Sequence, residues 1–140
     1  HVEEVFSKTN GVKSTAVGYT GGHTDNPTYE DVCTDKTGHA EAIQVEFDPT
    51  EISYSDLVKV FFANHNPTTP NRQGPDIGIQ YRSAIFCHNL EQEQAAKEVK
   101  EKLNPSAQQT FGSDIVTEIK SASTFYRAEE YHQKYFEKNY

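Results

Sequence analysis

Four side chains that can donate a proton or a hydrogen bond stand in separate motifs of this 140-residue sequence. They are Glu41 in GHAEA, Tyr29 in NPTYE, Tyr81 in QYRS and Asp76 in GPDIG. A carboxyl group can act as a general acid, and a phenol can donate a hydrogen bond to an oxygen that gains negative charge. Each residue alone also has an ordinary interpretation as a solvated carboxylate, a rim aromatic or a turn residue. Their types therefore indicate acid catalysis at an oxygen atom only if they meet in space.

The position of Glu41 on a predicted strand favours a functional role. In the segment 40–49, Ile43, Val45 and Phe47 alternate with polar residues, which is the period of a half-buried strand. Odd-numbered positions share one face of such a strand, so Glu41 should point inward with these apolar side chains. A carboxyl group at the end of an apolar strand face is unusual.

Metal and thiol chemistry are the alternatives at this site. His39 and Glu41 match the H-x-E half of a zinc deaminase signature, but the P-C-x-x-C half is missing. We therefore expect no metal and no bound cofactor. Cys33 has only Lys36 as a basic neighbour in sequence, so a packed, unreactive thiol is the better interpretation. Cys33 and Cys87 lack any pairing pattern, and both are expected to be reduced and unpaired.

Hydrophobic periods and turn signals give the order of elements that must position these residues. The expected elements are a helix ending near residue 9, a strand over 12–19, a strand within 40–49, a helix from Ser53 to near His65, a strand over 82–87, a helix from Asn89 through Leu103, a strand over 115–120 and a helix over 128–138. Long loops are expected over 20–38 and 66–80.

This order predicts an α+β fold. We expect a two-layer sandwich around a mixed β-sheet, with a ferredoxin-like core and the two long active-site loops on one rim. A flavodoxin-like layout is the alternative, but the alternation of strand and helix is broken between residues 12 and 48. The chain length favours a single domain over residues 1–140.

Charge and composition exclude several classes of partner. Thirteen Lys and Arg against twenty-one Asp and Glu give a net charge of −8, which opposes binding to nucleic acid. No apolar stretch is long enough for a membrane helix. Two isolated cysteines favour a reducing compartment, and we expect a cytoplasmic protein. The chain begins at His1 and contains no Met, so we expect a fragment of a longer product.

Taken together, the motifs resemble the methionine sulfoxide reductase A family over nearly the whole chain. The resemblance rests on GYTGG, NPTYEDVC, TGHAEAIQVEFDP, HNPTTPNRQGPDIGIQYRSAIF and FYRAEEYHQKY, in that order. In that family a GCFW motif supplies the cysteine nucleophile. The resemblance places this cysteine three residues before His1 and the resolving cysteines beyond Tyr140, so we expect truncation at both ends.

The resemblance also implies roles for the four residues of the site. Glu41 matches the family's general acid, Tyr29 and Tyr81 match its sulfoxide-binding phenols, and Asp76 matches an aspartate that orders the polar part of the site. Cys33 matches a family position that is not the nucleophile. The implied activity is thiol-dependent reduction of methionine S-sulfoxide, free or in proteins, as protein repair under oxidative stress.

The implied partners are methionine sulfoxide in peptides and proteins, and thioredoxin. Thioredoxin or dithiothreitol would act as the external reductant, and we expect a monomer. The alternative is a catalytically silent module that binds methionine sulfoxide, since the sequence given lacks the nucleophilic cysteine.

Overall fold

Helices and strands follow one another irregularly along the chain. The computed structural model describes residues 2–34 and 36–128. The helices are α1 (Val2–Ser7), α2 (Tyr29–Cys33), α3 (Tyr54–Ala63) and α4 (Leu90–Phe111), with a 3₁₀ turn at Ile79–Tyr81. The strands are β1 (Val12–Thr20), β2 (Ala40–Phe47), β3 (Arg72–Gln73), β4 (Asp76–Ile77), β5 (Ala84–Cys87), β6 (Glu118–Ser121) and β7 (Tyr126–Arg127). The predicted α+β class is confirmed.

The strands pair in both directions. β1 lies between β2 and β7 and is antiparallel to both, whereas β5 and β6 are parallel. β3 and β4 form a short antiparallel hairpin inside the segment that we expected to be a loop. Within the described residues the antiparallel and parallel ladders are separate.

Residues 43–47 of β2 alternate between half-buried and exposed side chains, as the sequence predicted. The polar residues Gln44 and Glu46 are exposed, while Ile43, Val45 and Phe47 are half-buried and line a cavity. β2 pairs along its whole length with β1, and this pairing sets which side chains face inward.

Two apolar clusters hold these elements. One joins α3, β5 and α4 and contains Val58, Phe62, Cys87, Ala96, Val99, Ala107 and Ile115. The other packs α2 against β1 and contains Val17, Tyr19, Val32 and Ala128. The second cluster supports the elements that carry Tyr29 and Glu41.

The loop expected over residues 20–38 contains helix α2, which was not predicted from the sequence. Its capping box is complete: the Asp31 amide donates to Thr28 Oγ1 at 3.1 Å, and the Thr28 amide donates to Asp31 Oδ2 at 3.0 Å. Two otherwise unpaired amide groups are satisfied in this way. A Thr-x-x-Asp pattern was the available signal.

The prediction that the helix starting at Asn89 ends at Leu103 was wrong. α4 continues through Pro105 to Phe111 and ends at Gly112, which has a φ of 76°. Proline lacks the amide that bonds to the preceding turn, so it usually ends a helix. Here Ala107 is buried in the core, and its packing extends the helix past the proline.

The carboxyl-terminal elements differ from the expected ones. β6 is Glu118–Ser121, so it overlaps only residues 118–120 of the strand predicted over 115–120, and β7 was not predicted. The helix predicted over 128–138 lies outside the described residues except for Ala128, whose amide donates to the carbonyl of Val17 at 2.9 Å. In the part of the chain that the structure describes, no helix is long and apolar enough to cross a membrane.

Candidate active site

Glu41 is the second residue of β2 and pairs directly with Tyr19 of β1. Paired residues of antiparallel strands project from the same face, and Tyr19 is only 1% exposed. Glu41 is itself half-buried and lines a cavity of about 510 Å³ together with Asp76 and Tyr81. Its carboxyl group is therefore partly withdrawn from solvent and faces a space that can hold a small ligand.

Tyr81 ends the 3₁₀ turn and is half-buried. Burial raises the pKa of its phenol, and the nearby charges of Glu41, Asp76 and Cys33 raise that pKa further. A hydrogen bond with the Gln80 side chain acts in the opposite direction. The Tyr81 hydroxyl therefore lies close enough to Glu41 and Asp76 for their charges to raise its pKa.

Tyr29 is the first residue of α2. A hydrogen bond with the Cys33 side chain, the Cys33 charge, burial, and the charges of Tyr81 and Glu41 together raise the pKa of Tyr29 to about 12. The structure thus brings Tyr29, Tyr81 and Glu41 together from three distant segments. Both phenols keep their protons at neutral pH and can serve as hydrogen-bond donors.

Asp76 lies at the edge of this group. It belongs to β4, is exposed, and lines the same cavity. Its charge acts on the phenol of Tyr81. The position fits a residue that shapes the polar side of the cavity mouth.

Cys33 is not the packed thiol that we expected. It is exposed, and its Sγ accepts a hydrogen bond from Gln80 Nε2 at 3.8 Å. Cys33 stands four residues after Tyr29, so one helical turn puts both side chains on the same face of α2. Its neighbours along the chain could not reveal this position, because Gln80 and Tyr81 are far away in sequence.

Both described cysteines are free, as predicted. Cys87 is buried at the end of β5, and its Sγ lies 3.6 Å from the Tyr54 hydroxyl. Burial raises the pKa of the Cys87 thiol. This cysteine is a packing residue of the core.

His39 supports the site rather than a metal ion. Its Nδ1 accepts a hydrogen bond from the Gly22 amide at 3.0 Å, and its Nε2 donates to the carbonyl of Thr24 at 2.8 Å. A Cβ on Gly22 would lie 2.3 Å from the Thr37 carbonyl oxygen, so only glycine fits this close approach. His39 therefore ties the GYTGG turn to the start of β2. No cluster of three potential metal ligands occurs among residues 2–34 and 36–128.

These observations define an α+β protein in which a half-buried carboxyl group and the Tyr81 phenol line one cavity, and the Tyr29 phenol lies near both. A sequence model of the family described as peptide methionine sulfoxide reductase matches residues 1–140. The chain is 59% identical over 138 residues to peptide methionine sulfoxide reductase MsrA of Methanothermobacter thermautotrophicus, covering 99% of this chain and 80% of the relative.

Solved structures agree with this match. Methionine sulfoxide reductase A of Corynebacterium diphtheriae superposes with a TM-score of 0.92 at 41% identity, covering 98% of this chain and 68% of that one. Mxr1 from Saccharomyces cerevisiae in complex with Trx2 superposes with a TM-score of 0.62 at 25% identity, covering 95% and 74%. The chain belongs to the peptide methionine sulfoxide reductase family, A type, the class of peptide-methionine (S)-S-oxide reductases.

Proposed function

We propose that this protein reduces methionine S-sulfoxide, free or in proteins, with Glu41 as the general acid and with Tyr29 and Tyr81 binding the sulfoxide oxygen. The observation that carries the proposal is that these groups lie close together. The charge of Glu41 raises the pKa of Tyr81, and the charges of Glu41 and Tyr81 raise the pKa of Tyr29. Residues 1–140 act in this proposal as one domain.

The chemistry explains why this set of side chains is needed. A cysteine thiolate attacks the sulfoxide sulfur, which pushes electrons onto the oxygen. Glu41 donates a proton to that oxygen, while the two phenols donate hydrogen bonds to it as its charge grows. The sulfur–oxygen bond and the new sulfur–sulfur bond then both break as the protonated oxygen passes to the cysteine sulfur. The products are methionine and a cysteine sulfenic acid, so the sulfoxide sulfur gains the two electrons that the cysteine sulfur loses.

The nucleophile in this proposal is the cysteine of a GCFW segment on the amino-terminal side of His1, as the family resemblance implies. Cys33 lies at the site, but its position in the family is not that of the nucleophile. A second thiol condenses with the sulfenic acid to form a disulfide and water.

A dithiol reductant then restores the thiol by disulfide exchange. We propose thioredoxin as this partner, because the superposed yeast Mxr1 forms a complex with Trx2. Dithiothreitol should replace it in vitro. The net charge of −8 gives no reason to expect a nucleic acid partner, and we propose a monomer without a resident cofactor.

The test uses the chain extended by GCFW before His1, assayed with N-acetylmethionine S-sulfoxide and dithiothreitol. We expect turnover by the extended chain, and we expect Glu41→Gln to lower it roughly 10²- to 10⁴-fold, the usual contribution of a general acid. Glutamine keeps the shape and can still donate a hydrogen bond, but it cannot transfer a proton.

Glu46→Gln is the matched control. Glu46 is on the same strand, but it is exposed on the opposite face and accepts a hydrogen bond from Ser14 at 3.1 Å. This variant should keep full activity. Unchanged turnover in Glu41→Gln would remove the acid from the proposal. Binding of the sulfoxide without turnover by the extended chain would favour the silent binding module.

A further inference from the structure

We propose that Arg82 is a positioning residue that holds Glu41 at a fixed place relative to Tyr81. This inference rests on the proposed function, because it concerns how the same site is held in its working geometry. Arg82 follows Tyr81 directly, but its side chain extends to the segment that leads into β2.

The guanidinium group makes three separate contacts. Nη2 donates to the carbonyl of Gly38 at 2.9 Å, Nη1 donates to the carbonyl of Ile79 at 3.0 Å, and Nε donates to Glu118 Oε2 at 3.3 Å. The Arg82 side chain is only 10% exposed. A largely buried cation with all three contacts in place is a fixed structural connection.

Two of these acceptors belong to the segments that carry the site. Gly38 precedes Glu41 by three residues, and Ile79 precedes Tyr81 by two. The planar guanidinium group therefore links the backbone that precedes Glu41 to the backbone that precedes Tyr81. Lysine, a single flexible point charge, cannot reproduce this fork.

The third acceptor, Glu118 of β6, balances the charge of Arg82. The pair joins the 3₁₀ turn to the parallel β5–β6 ladder, and the backbone supports the same connection, since the Glu118 amide donates to the Ser83 carbonyl at 3.0 Å. The guanidinium group is thus anchored on the β6 side while its Nη2 holds Gly38.

The GYTGG turn closes over this connection. A Cβ on Gly21 would lie 3.3 Å from Arg82 Nη2 and 2.6 Å from the Phe86 ring, so the turn leaves little space around the guanidinium group. Three segments that are distant in sequence, the turn at Gly21, the start of β2 and the 3₁₀ turn, meet at this one side chain.

Hydrogen exchange on the 140-residue chain tests the connection without any catalysis. Arg82→Lys should speed exchange of the His23 and Tyr81 amides about 3- to 10-fold, the effect of losing one ordinary hydrogen bond. These amides donate to Thr37 and Gly78, beside the two segments that Arg82 joins. Exchange in α4 should stay unchanged, which shows that the variant is folded.

Arg127→Lys is the control for this experiment. Arg127 is an exposed residue of β7, and the same change there should leave the His23 and Tyr81 amides unaffected. Equal exchange at these amides in wild type and Arg82→Lys would overturn the proposal.

Turnover of the GCFW-extended chain tests positioning directly. Arg82→Lys should lower kcat roughly 10- to 100-fold, since a displacement of about 1 Å can cost 10²-fold in rate. In the Glu41→Gln background the same change should cost less than about threefold, because the acid that Arg82 positions is already absent. A general loss of folded enzyme would instead reduce the rate by the same factor in both backgrounds.

The outcomes separate the two proposals. Full activity of Glu41→Gln would reject the acid role of Glu41. A large effect of Glu41→Gln combined with an equal effect of Arg82→Lys in both backgrounds would leave the proposed function intact and reject the positioning role of Arg82.

Discussion

Replacing Ser83 by alanine should destabilise the protein more than replacing Thr117 by valine, although each change removes one hydroxyl group. Ser83 and Thr117 are 4% and 1% exposed, and their hydroxyl oxygens lie 2.6 Å apart. His65 Nε2 lies 2.7 Å from the same Ser83 oxygen. Ser83 is therefore the middle member of a buried chain of three polar groups.

The proton positions follow from the partners. His65 Nδ1 lies 2.7 Å from the carbonyl of Phe61, which can only accept, so Nδ1 carries the proton of the neutral ring. Nε2 must then accept from the Ser83 hydroxyl. The only hydrogen of that hydroxyl is used, so Thr117 donates to Ser83.

The two variants leave different groups unsatisfied. Ser83→Ala leaves the acceptor nitrogen of His65 and the donor hydroxyl of Thr117 without the partner that Ser83 provides. Each buried group that loses its partner lowers the free energy of unfolding by about 1–3 kcal/mol. We expect a total loss of about 2–6 kcal/mol. Thr117→Val removes a donor and its bond while Ser83 stays bonded to His65, so the loss should be about 1 kcal/mol.

Urea unfolding measures the difference. With a slope of about 2 kcal/mol per molar urea, the midpoint should fall by about 1–3 M for Ser83→Ala and by about 0.5 M for Thr117→Val. Equal losses in the two variants, or a larger loss for Thr117→Val, would refute the proposed order of donors and acceptors.

Three further predictions follow from the described structure. Burial lowers the pKa of His65 below its usual 6.5, so the folded state binds fewer protons than the unfolded state just below that pH; stability should fall as the pH drops below about 6.5, and His65→Gln should flatten this dependence in thermal unfolding. Pro105→Ala should raise the urea midpoint by the equivalent of about 1–3 kcal/mol, since proline breaks the hydrogen bonding inside α4, and an unchanged midpoint would contradict this. The 140-residue chain should give two free thiols, Cys33 and Cys87, and no sulfoxide turnover with dithiothreitol; measurable turnover would make one of them the nucleophile.

Local patterns predicted the elements that depend on local forces. The alternation along β2 predicted the inward direction of Glu41, and α3 begins where it was predicted, with Ser53 accepting from the Asp56 amide at 3.1 Å. These features follow from a repeat or a spacing within a few residues. The end of α4 was misplaced because Pro105 is a strong local signal that tertiary packing of Ala107 overrides.

The proximity of the site residues in the fold could not be predicted from local patterns. The sequence separation between Glu41 and Tyr81 contains no local pattern that brings them together, and only the family resemblance suggested it. The contacts of Arg82 are still harder to read, because its acceptors at Gly38 and Ile79 are backbone carbonyls. Every residue has a carbonyl group, so the sequence marks no particular partner.

The short helix α2 has a consequence for the timescale on which the site opens. Its five residues carry one capping box, contributing about 1 kcal/mol, and one buried apolar side chain, Val32, whose burial contributes about 1.5–3 kcal/mol. Ordering the backbone costs about 1–2 kcal/mol for each of these residues, so little net stabilisation of α2 remains. We therefore expect α2 to unfold locally far more often than α4, so that Tyr29 leaves and rejoins its position near Glu41 and Tyr81 while the rest of the fold persists. A sulfoxide on a bulky protein surface would then have more room on the α2 side of the site, whereas Glu41 stays fixed on its strand.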